Sequence, residues 1–312
     1  MKSKMNISQI HVKAFEGNLL RNLIKSMRPA YWVKNTLVFT GLIFSFSLFQ
    51  WKAIWLSMQA FLLFCMASSW VYLFNDLRDI KEDRWHPVKR FRPLASGDLS
   101  PKAAQGAMGI LLVVSLWGGF ILSSSFGIVI GIYLLLNLLY SLGLRRIVIL
   151  DAVIVSVSLA LRAVAGAIVV DMAVSIWLVL CTLSLGLFLS FGKRWYESEI
   201  LEEMAWNHRK SLKGYTKRML FYLLVVTGVS SITIYTLYTM APDVVERFNT
   251  LYLPLTVPFV IFGIFRYLYL ARHSEDVGNP VQLFITDRPQ IINSMLWVIS
   301  VCLIIYGNRP HL

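Results

Sequence analysis

The sequence predicts an all-α, polytopic membrane protein of nine transmembrane helices. Three observations carry this expectation. Of 312 residues, 57% are hydrophobic and 15% are charged, with a mean hydropathy of +0.62; a water-soluble chain has about a quarter charged residues. The apolar residues fall in runs, several of them near the roughly 20 residues a helix needs to cross the hydrocarbon. No stretch of about ten residues alternates apolar and polar side chains as barrel strands do. In lipid every backbone polar group must be satisfied within the protein, and a helical bundle is then the remaining solution.

The spans fall at 36–50, 53–74, 103–122, 127–143, 148–170, 173–192, 219–240, 250–270 and 290–307. The first and fourth are short. Residues 1–35 form an amphipathic interfacial segment: in FEGNLLRNLIKSM, Phe15, Leu19, Leu23 and Met27 make one stripe with bases elsewhere, as in a helix lying among headgroups. Residues 36–312 form a single transmembrane domain whose loops 75–102 and 193–218 carry the polar chemistry. Most Lys and Arg lie in the lead through Asn35, in the loops after the second, fourth and sixth spans, and between Arg266 and Arg288. Lys52, Arg247 and Arg309 lie on the other side. This bias predicts a cytoplasmic N-terminus and a C-terminus across the membrane. It also accounts for the net charge of +13 without nucleic acid. Cys65, Cys181 and Cys302 are isolated in apolar runs and read as small core residues, not as a disulfide framework. The first apolar run begins near Leu37, behind a polar lead with no cleavage pattern, so no secretory signal is expected.

The second loop opens with NDLRDIKEDRWHPVKRFRP, a dense cluster of charge between two apolar runs. Charge is expensive to hold near lipid, and such residues are candidates for function. Asp76, Asp79 and Asp83 stand at i, i+3 and i+7, within about 60° of one another on a continuous helix. Three carboxylates on one face repel unless a cation joins them, and their hard oxygens suit Mg²⁺. With Asn75 they form a candidate metal site. His86-Pro87 ends the helix, since a residue before proline leaves the α region. Lys89, Arg90 and Arg92 then offer a cationic loop for phosphate; their plainer reading is ordinary positive-inside charge. The plainer reading of the aspartates is salt bridging to Arg78, Lys81 and Arg84. Acids for a metal beside bases for phosphate describe a site for a diphosphate substrate.

In the fifth span Asp151, Val155, Ser158 and Arg162 recur on one polar stripe. Asp151 and Arg162 lie about 16 Å apart along the axis, too far to pair. So deep an arginine must face the bundle interior or a wet cavity, and either an anion or a buried interhelical partner would satisfy it. The sixth span ends in Lys193, Arg194 and Glu197; Lys193 and Glu197 at i, i+4 also suit a simple helical ion pair. Glu199, Glu202 and Glu203 read as a solvated face. Tyr140, Ser141, Arg145 and Arg146 close the fourth span on the same side, and Trp32, Lys34 and Asn35 open the first. His86, His208 and His273 have no zinc-ligand spacing. Neither a nucleophile elbow nor a phosphate-binding glycine loop is present.

NDLRDIKEDRWHPVKRFRPLASG resembles the NDxxDxxxD signature of the UbiA-type prenyltransferase superfamily. Its continuation, HPVKRFRP, is similar to the branch of decaprenyl-phosphate phosphoribosyltransferases. The same branch is suggested by RPAYWVKN at 28–35, YSLGLRR at 140–146, Asp151 with LRAVAGA at 161–167, FGKRWYE at 191–197, and more weakly DRP at 287–289. The resemblance implies nine helices around a central cavity open to the cytoplasm. The implied reaction joins phosphoribosyl pyrophosphate to a polyprenyl phosphate with Mg²⁺, releasing pyrophosphate. Asn75, Asp76, Asp79 and Asp83 would then hold the metal, and Lys89, Arg90 and Arg92 would hold the donor phosphates. Arg162, Lys193 and Arg194 would hold the lipid phosphate, with Lys34, Tyr140, Arg145, Arg146, Asp151 and Glu197 as further substrate contacts. Two features depart from the wider superfamily. A second complete Asp-rich motif is replaced by Asp151 and the GKRWYE stretch, which fits the phosphoribosyl branch. Arg145 or Arg146 stands where a lysine is usual, exchanging a point-like ammonium for a planar fork. A prenyl transfer to an aromatic or lipid acceptor is the alternative reaction. A transporter is a further class, disfavoured because the charges cluster on one side.

Overall fold

A computed structural model of the chain describes residues 18–86, 88–200, 214–273 and 286–307. Phe15, Pro87, Glu202, Glu203 and His208 lie outside those residues, as do the side chains of Glu199 and His273 and half of the 193–218 loop, 201–213. Among the described residues all regular structure is helical. Helix α1 (Leu19–Met27) is capped by Asn18, whose side chain accepts from the Leu20 N–H. A 3₁₀ segment (Pro29–Val38) and α2 (Phe39–Phe44) follow. Next come α3 (Trp51–Arg78), α4 (Ile80–Trp85), α5 (Pro93–Ser96), α6 (Pro101–Leu122), α7 (Ser124–Leu142) and α8 (Leu150–Val169). The chain ends with α9 (Ile176–Ile200), α10 (Lys217–Met240), α11 (Pro242–Phe248), α12 (Val257–His273) and α13 (Arg288–Gly307).

Eight helical stretches among the described residues are long and apolar enough to cross a membrane: α3, α6, α7, α8, α9, α10, α13 and Leu253–Arg272, which takes in all of α12 but its last residue. They coincide with the last eight expected spans. The first, 36–50, differs: no single helix fills it, and α2 has only six residues. The 3₁₀ form rises about 2.0 Å per residue against 1.5 Å in an α-helix. Ten 3₁₀ residues and six α residues therefore reach about 29 Å, close to the hydrocarbon thickness of roughly 30 Å. The segment joins opposite ends of the bundle: Arg28, at its start, donates to Asp76, and the Leu48 N–H, just beyond it, donates to Tyr306 Oη at 3.0 Å.

The stripe on α1 is also oriented differently from the expectation. Leu23 and Met27 pack on the bundle core, whereas Leu19, Leu20 and Ile24 are exposed. Three apolar clusters hold the bundle. Phe64, Phe126 and Ile130 centre the one between α3, α6 and α7; Phe188, Leu220, Leu224 and Ile264 centre the one between α9, α10 and α12. Leu253, Val301 and Ile305 meet Phe248 of α11 in the third.

Helix α8 runs through the interior. Its buried face is built of Ala152, Ser156, Ala160, Ala163, Ala165, Gly166 and Ala167, small residues that let helices approach closely in a membrane bundle. The closest approach is to the 3₁₀ segment and α2. A Cβ on Gly166 would lie 1.9 Å from Val38 O, and one on Gly41 would lie 2.1 Å from Gly166 O. Both obstacles are backbone and cannot rotate away. Gly166→Ala is therefore expected to destabilise the bundle by at least the ~1–3 kcal/mol typical of overpacking. A lower detergent melting temperature checks this, and an unchanged one contradicts it. The approach matters for function because it lays Lys34 and Asn35 against the polar stripe of α8.

Candidate active site

The C-terminal ends of α3, α7 and α9 and the N-terminal end of α8 gather most of the expected polar residues at one end of the bundle. Asp76 and Asp83 are both buried. Asp76 Oδ1 accepts from Arg28 and, at 3.1 Å, from Arg92 Nη1; the same nitrogen lies 2.6 Å from Asp83 Oδ2. Asp79 stands apart. Helices α3 and α4 meet there, with Asp79 at φ −96° and ψ 14°. Its carboxylate turns to the α7–α8 connection, where Arg145 grips both oxygens at 2.8 and 2.9 Å. Burial raises the Asp79 carboxyl, but the Arg145 hydrogen bonds and charge, with Arg78 and Lys89, outweigh it and leave it below its ordinary value.

Of the three aspartates expected on one helical face, Asp76 and Asp83 share Arg92 while Asp79 is held by Arg145, and the Asp79 N–H to Asn75 O and Asp83 N–H to Asp79 O bonds carry the helical pattern across the α3–α4 junction. Among the described residues no three Asp, Glu, His or Cys side chains gather round one point. Asp76 and Asp83 do fit a hard cation. They offer oxygen donors, and one guanidinium nitrogen already occupies the position between them. Asn75 Oδ1 accepts from Ser141 Oγ, which ties the end of α3 to α7. Arg78 donates to Leu142 O at 3.0 Å, while its buried Nη1 has no acceptor among the described residues.

A second polar group lies deeper. Arg162, buried on α8, donates from Nε to Asn35 Oδ1 at 2.7 Å, from Nη2 to Tyr133 Oη at 3.0 Å and from Nη1 to the Ser158 carbonyl. Its guanidinium also lies 4.8 Å from the Tyr133 ring centroid. Each of its three nitrogens has an acceptor and all three acceptors are neutral, so among the described residues no carboxylate meets its charge. Asn35, fully buried, is satisfied in turn by donating to Ser68 Oγ and Cys65 Sγ on α3. Lys34 lies close enough to Arg162 and Lys193 to feel both charges, and its ammonium sits 5.6 Å from the Tyr31 ring centroid. Lys193 faces Glu197 at 3.9 Å, the ion pair that the i, i+4 spacing suggests.

Arg194 and Asp151 meet each other. Arg194 Nε donates to Asp151 Oδ2 at 2.7 Å and Nη1 donates to Ser190 O at 2.6 Å, with both side chains under 5% exposed. Tyr215 Oη donates to Asp151 Oδ1 at 2.8 Å and accepts the Ile149 N–H at 2.6 Å. Burial and the Asp151 hydrogen bond push the Tyr215 hydroxyl up to about 12, so it stays a donor at neutral pH. Arg194 and Asp151, expected at the substrate, are here mutual partners that lock α9 to the start of α8. Arg90 is exposed with its guanidinium 4.8 Å from the Phe91 ring centroid, and Arg146 is exposed. Tyr140 is partly buried on α7 beside Ser141.

Sequence reasoning missed Arg28, Arg78, Tyr133 and Tyr215 as site residues. Arg28 opens the RPAYWVKN element and was legible there. Tyr133 sits in an apolar run, and nothing local marks its hydroxyl as the partner of an arginine 29 residues away.

The UbiA prenyltransferase family model matches residues 30–286. The chain belongs to the UbiA prenyltransferase family. It is 32% identical to the decaprenyl-phosphate phosphoribosyltransferase of Mycolicibacterium smegmatis, over 93% of this chain and 94% of that protein. It is 31% identical to the protein of the same name from Corynebacterium glutamicum, over 96% and 93%. Among solved structures it is similar to a UbiA homolog from Archaeoglobus fulgidus bound to DMAPP and Mg²⁺. That likeness has a TM-score of 0.69 at 16% identity and covers 92% of this chain and all of that one. As a UbiA family member with eight helices among the described residues long and apolar enough to cross a membrane, the protein is an integral membrane transferase.

Proposed function

We propose that the protein transfers 5-phosphoribose from phosphoribosyl pyrophosphate to a polyprenyl phosphate, with Mg²⁺, releasing pyrophosphate. The observation that carries this reading is Arg162, buried on α8 with Lys34 and Lys193 near it, whose hydrogen-bond acceptors among the described residues are all neutral. A buried arginine of this kind calls for an anion, and a phosphate head at the end of an isoprenoid chain supplies one where the tail can leave between apolar helices. The names of the relatives, which match this chain over nearly its whole length, support the same pair of substrates.

Asp76 and Asp83 would hold Mg²⁺, which when bound offsets the charge growing on the departing pyrophosphate. Arg92 and Lys89 would hold the donor phosphates, and Arg78 has a buried donor left for a ligand oxygen. Arg145 keeps Asp79 and the α7–α8 turn in place. The acceptor phosphate, with a second pKa near 6, is largely dianionic at neutral pH. It attacks the anomeric carbon without a general base, which suits a site with no histidine at its centre. The charge bias of the loops supports a cytoplasmic orientation for this end of the bundle, and the membrane would be a bacterial-type inner one.

Purified protein incubated with donor labelled in the ribose, Mg²⁺ and a panel of polyprenyl phosphates tests the reading. Label should enter the lipid fraction. Absence of ribose label, with transfer of isoprenoid from a prenyl diphosphate instead, would replace it with the prenyl-transfer reaction. Arg162→Lys should raise the requirement for the lipid phosphate more than that for the sugar donor.

A further inference from the structure

We propose that the pocket between the last turn of α1 and the 88–93 turn is a second phosphate subsite, holding the 5-phosphate of the sugar donor. This rests on the donor assigned above. The pocket has a volume of about 260 Å³, and Lys25, Arg28, Lys89 and Arg92 line it around a single carboxylate, Asp76. Asp83 offsets part of Arg92 and Asp79 part of Lys89, but of the side chains that line the pocket four are cationic and one is acidic, a balance that favours an anion.

Arg28 is built into it. It ends α1 as a left-handed cap at φ +56°, its N–H on Lys25 O, and this turn aims its side chain toward α3. Its guanidinium lies 5.1 Å from the Tyr72 ring centroid and 6.0 Å from that of Tyr31, and it donates to Asp76. The α1 helix ends here, so its dipole presents partial negative charge; attraction for phosphate has to come from the side chains.

The sugar donor has two anionic ends, a diphosphate on one carbon of the ribose and a phosphate monoester on another. Asp76 borders both the Asp83–Arg92 contact and this pocket, so a ribose lying across it presents one end to each. A prenyl diphosphate has no anion at its far end and no use for the pocket. The pocket therefore separates a phosphoribosyl donor from a prenyl one.

The lipid acceptor also carries a phosphate monoester, and the test distinguishes the two sources. Binding of ribose 5-phosphate, geranyl phosphate and Mg²⁺-pyrophosphate is measured on the full-length protein in detergent, for wild type, Lys25→Gln and Lys25→Arg. Lys25 is exposed, so its replacement leaves the fold intact, which a melting curve verifies. Lys25→Gln should weaken ribose 5-phosphate about tenfold, the effect of one charge-assisted contact. Pyrophosphate and geranyl phosphate should be unchanged, and Lys25→Arg should restore most of the loss. In transfer assays the KM for the sugar donor should rise by a similar factor at near-normal kcat. Equal loss of pyrophosphate binding, or loss of geranyl phosphate binding instead, overturns the proposal. So does a wild type that turns over the donor yet does not bind ribose 5-phosphate. If wild type fails to use the donor at all, the assigned reaction falls; ribose 5-phosphate binding that depends on Lys25 would still uphold the subsite.

Discussion

Asp76→Ala is expected to lower transfer by about a thousandfold or more, equivalent to about 4 kcal/mol of transition-state stabilisation. The size follows from how many groups depend on one carboxylate. Asp76 accepts from both Arg28 and Arg92, and Arg92 links it to Asp83. Its removal takes away one of two oxygen donors for the metal and unpins two arginines assigned to phosphate. Preorganised charge of this kind is often the largest single contribution to a rate. The assay is incorporation of ribose label into lipid, run beside a detergent melting curve that establishes folding. Turnover within tenfold of wild type in a folded variant would remove Asp76 from the chemistry. Binding of Mg²⁺ together with pyrophosphate, read by calorimetry, should weaken in parallel.

The largest expected loss of stability comes from Asp151→Ala. Arg194 would remain buried without its acid, a situation that costs about 3–5 kcal/mol. Tyr215 would lose the acceptor of its hydroxyl while still accepting the Ile149 N–H. The double variant Asp151→Ala/Arg194→Leu should recover part of the deficit, because removing both charges also removes their desolvation. A double variant no more stable than the single one would show that the pair does not act as a coupled unit. Activity should fall with the single change as well, since Lys193 precedes Arg194 on the same turn of α9.

Helix identity and position were largely legible because a bilayer demands long apolar runs whatever the tertiary structure. The 36–50 region escaped because hydropathy does not show where an apolar run leaves the helical form: only 39–44 is α-helical, 36–38 belong to the 3₁₀ segment and 45–50 are turn. The glycines that permit close packing, Gly41 and Gly166, gave no sign of being partners 125 residues apart. In the site, residue types were legible and pairings were not. The spacing of Asp76, Asp79 and Asp83 shows which carboxylates lie near one another, but not that Arg145, 66 residues on, holds Asp79 while Arg92 bridges the other two. Arg162 was readable as a charge too deep to be idle, but its actual partners, Asn35 and Tyr133, come from two other elements. Arg194 and Asp151, read separately as ligand contacts, satisfy each other once α8 and α9 are packed.

The overwound stretch from Pro29 to Val38 has a mechanical corollary. Runs of this form beyond three or four residues are uncommon, and this one has ten. Rewinding it to the α form would shorten it by about 5 Å. Arg28 anchors one end on Asp76, and Tyr306 clasps the chain beyond the other. Held so, the stretch fixes the spacing between its two anchors at opposite ends of the bundle. Release at either anchor would let Asn35 shift along the bundle axis and out of register with Arg162.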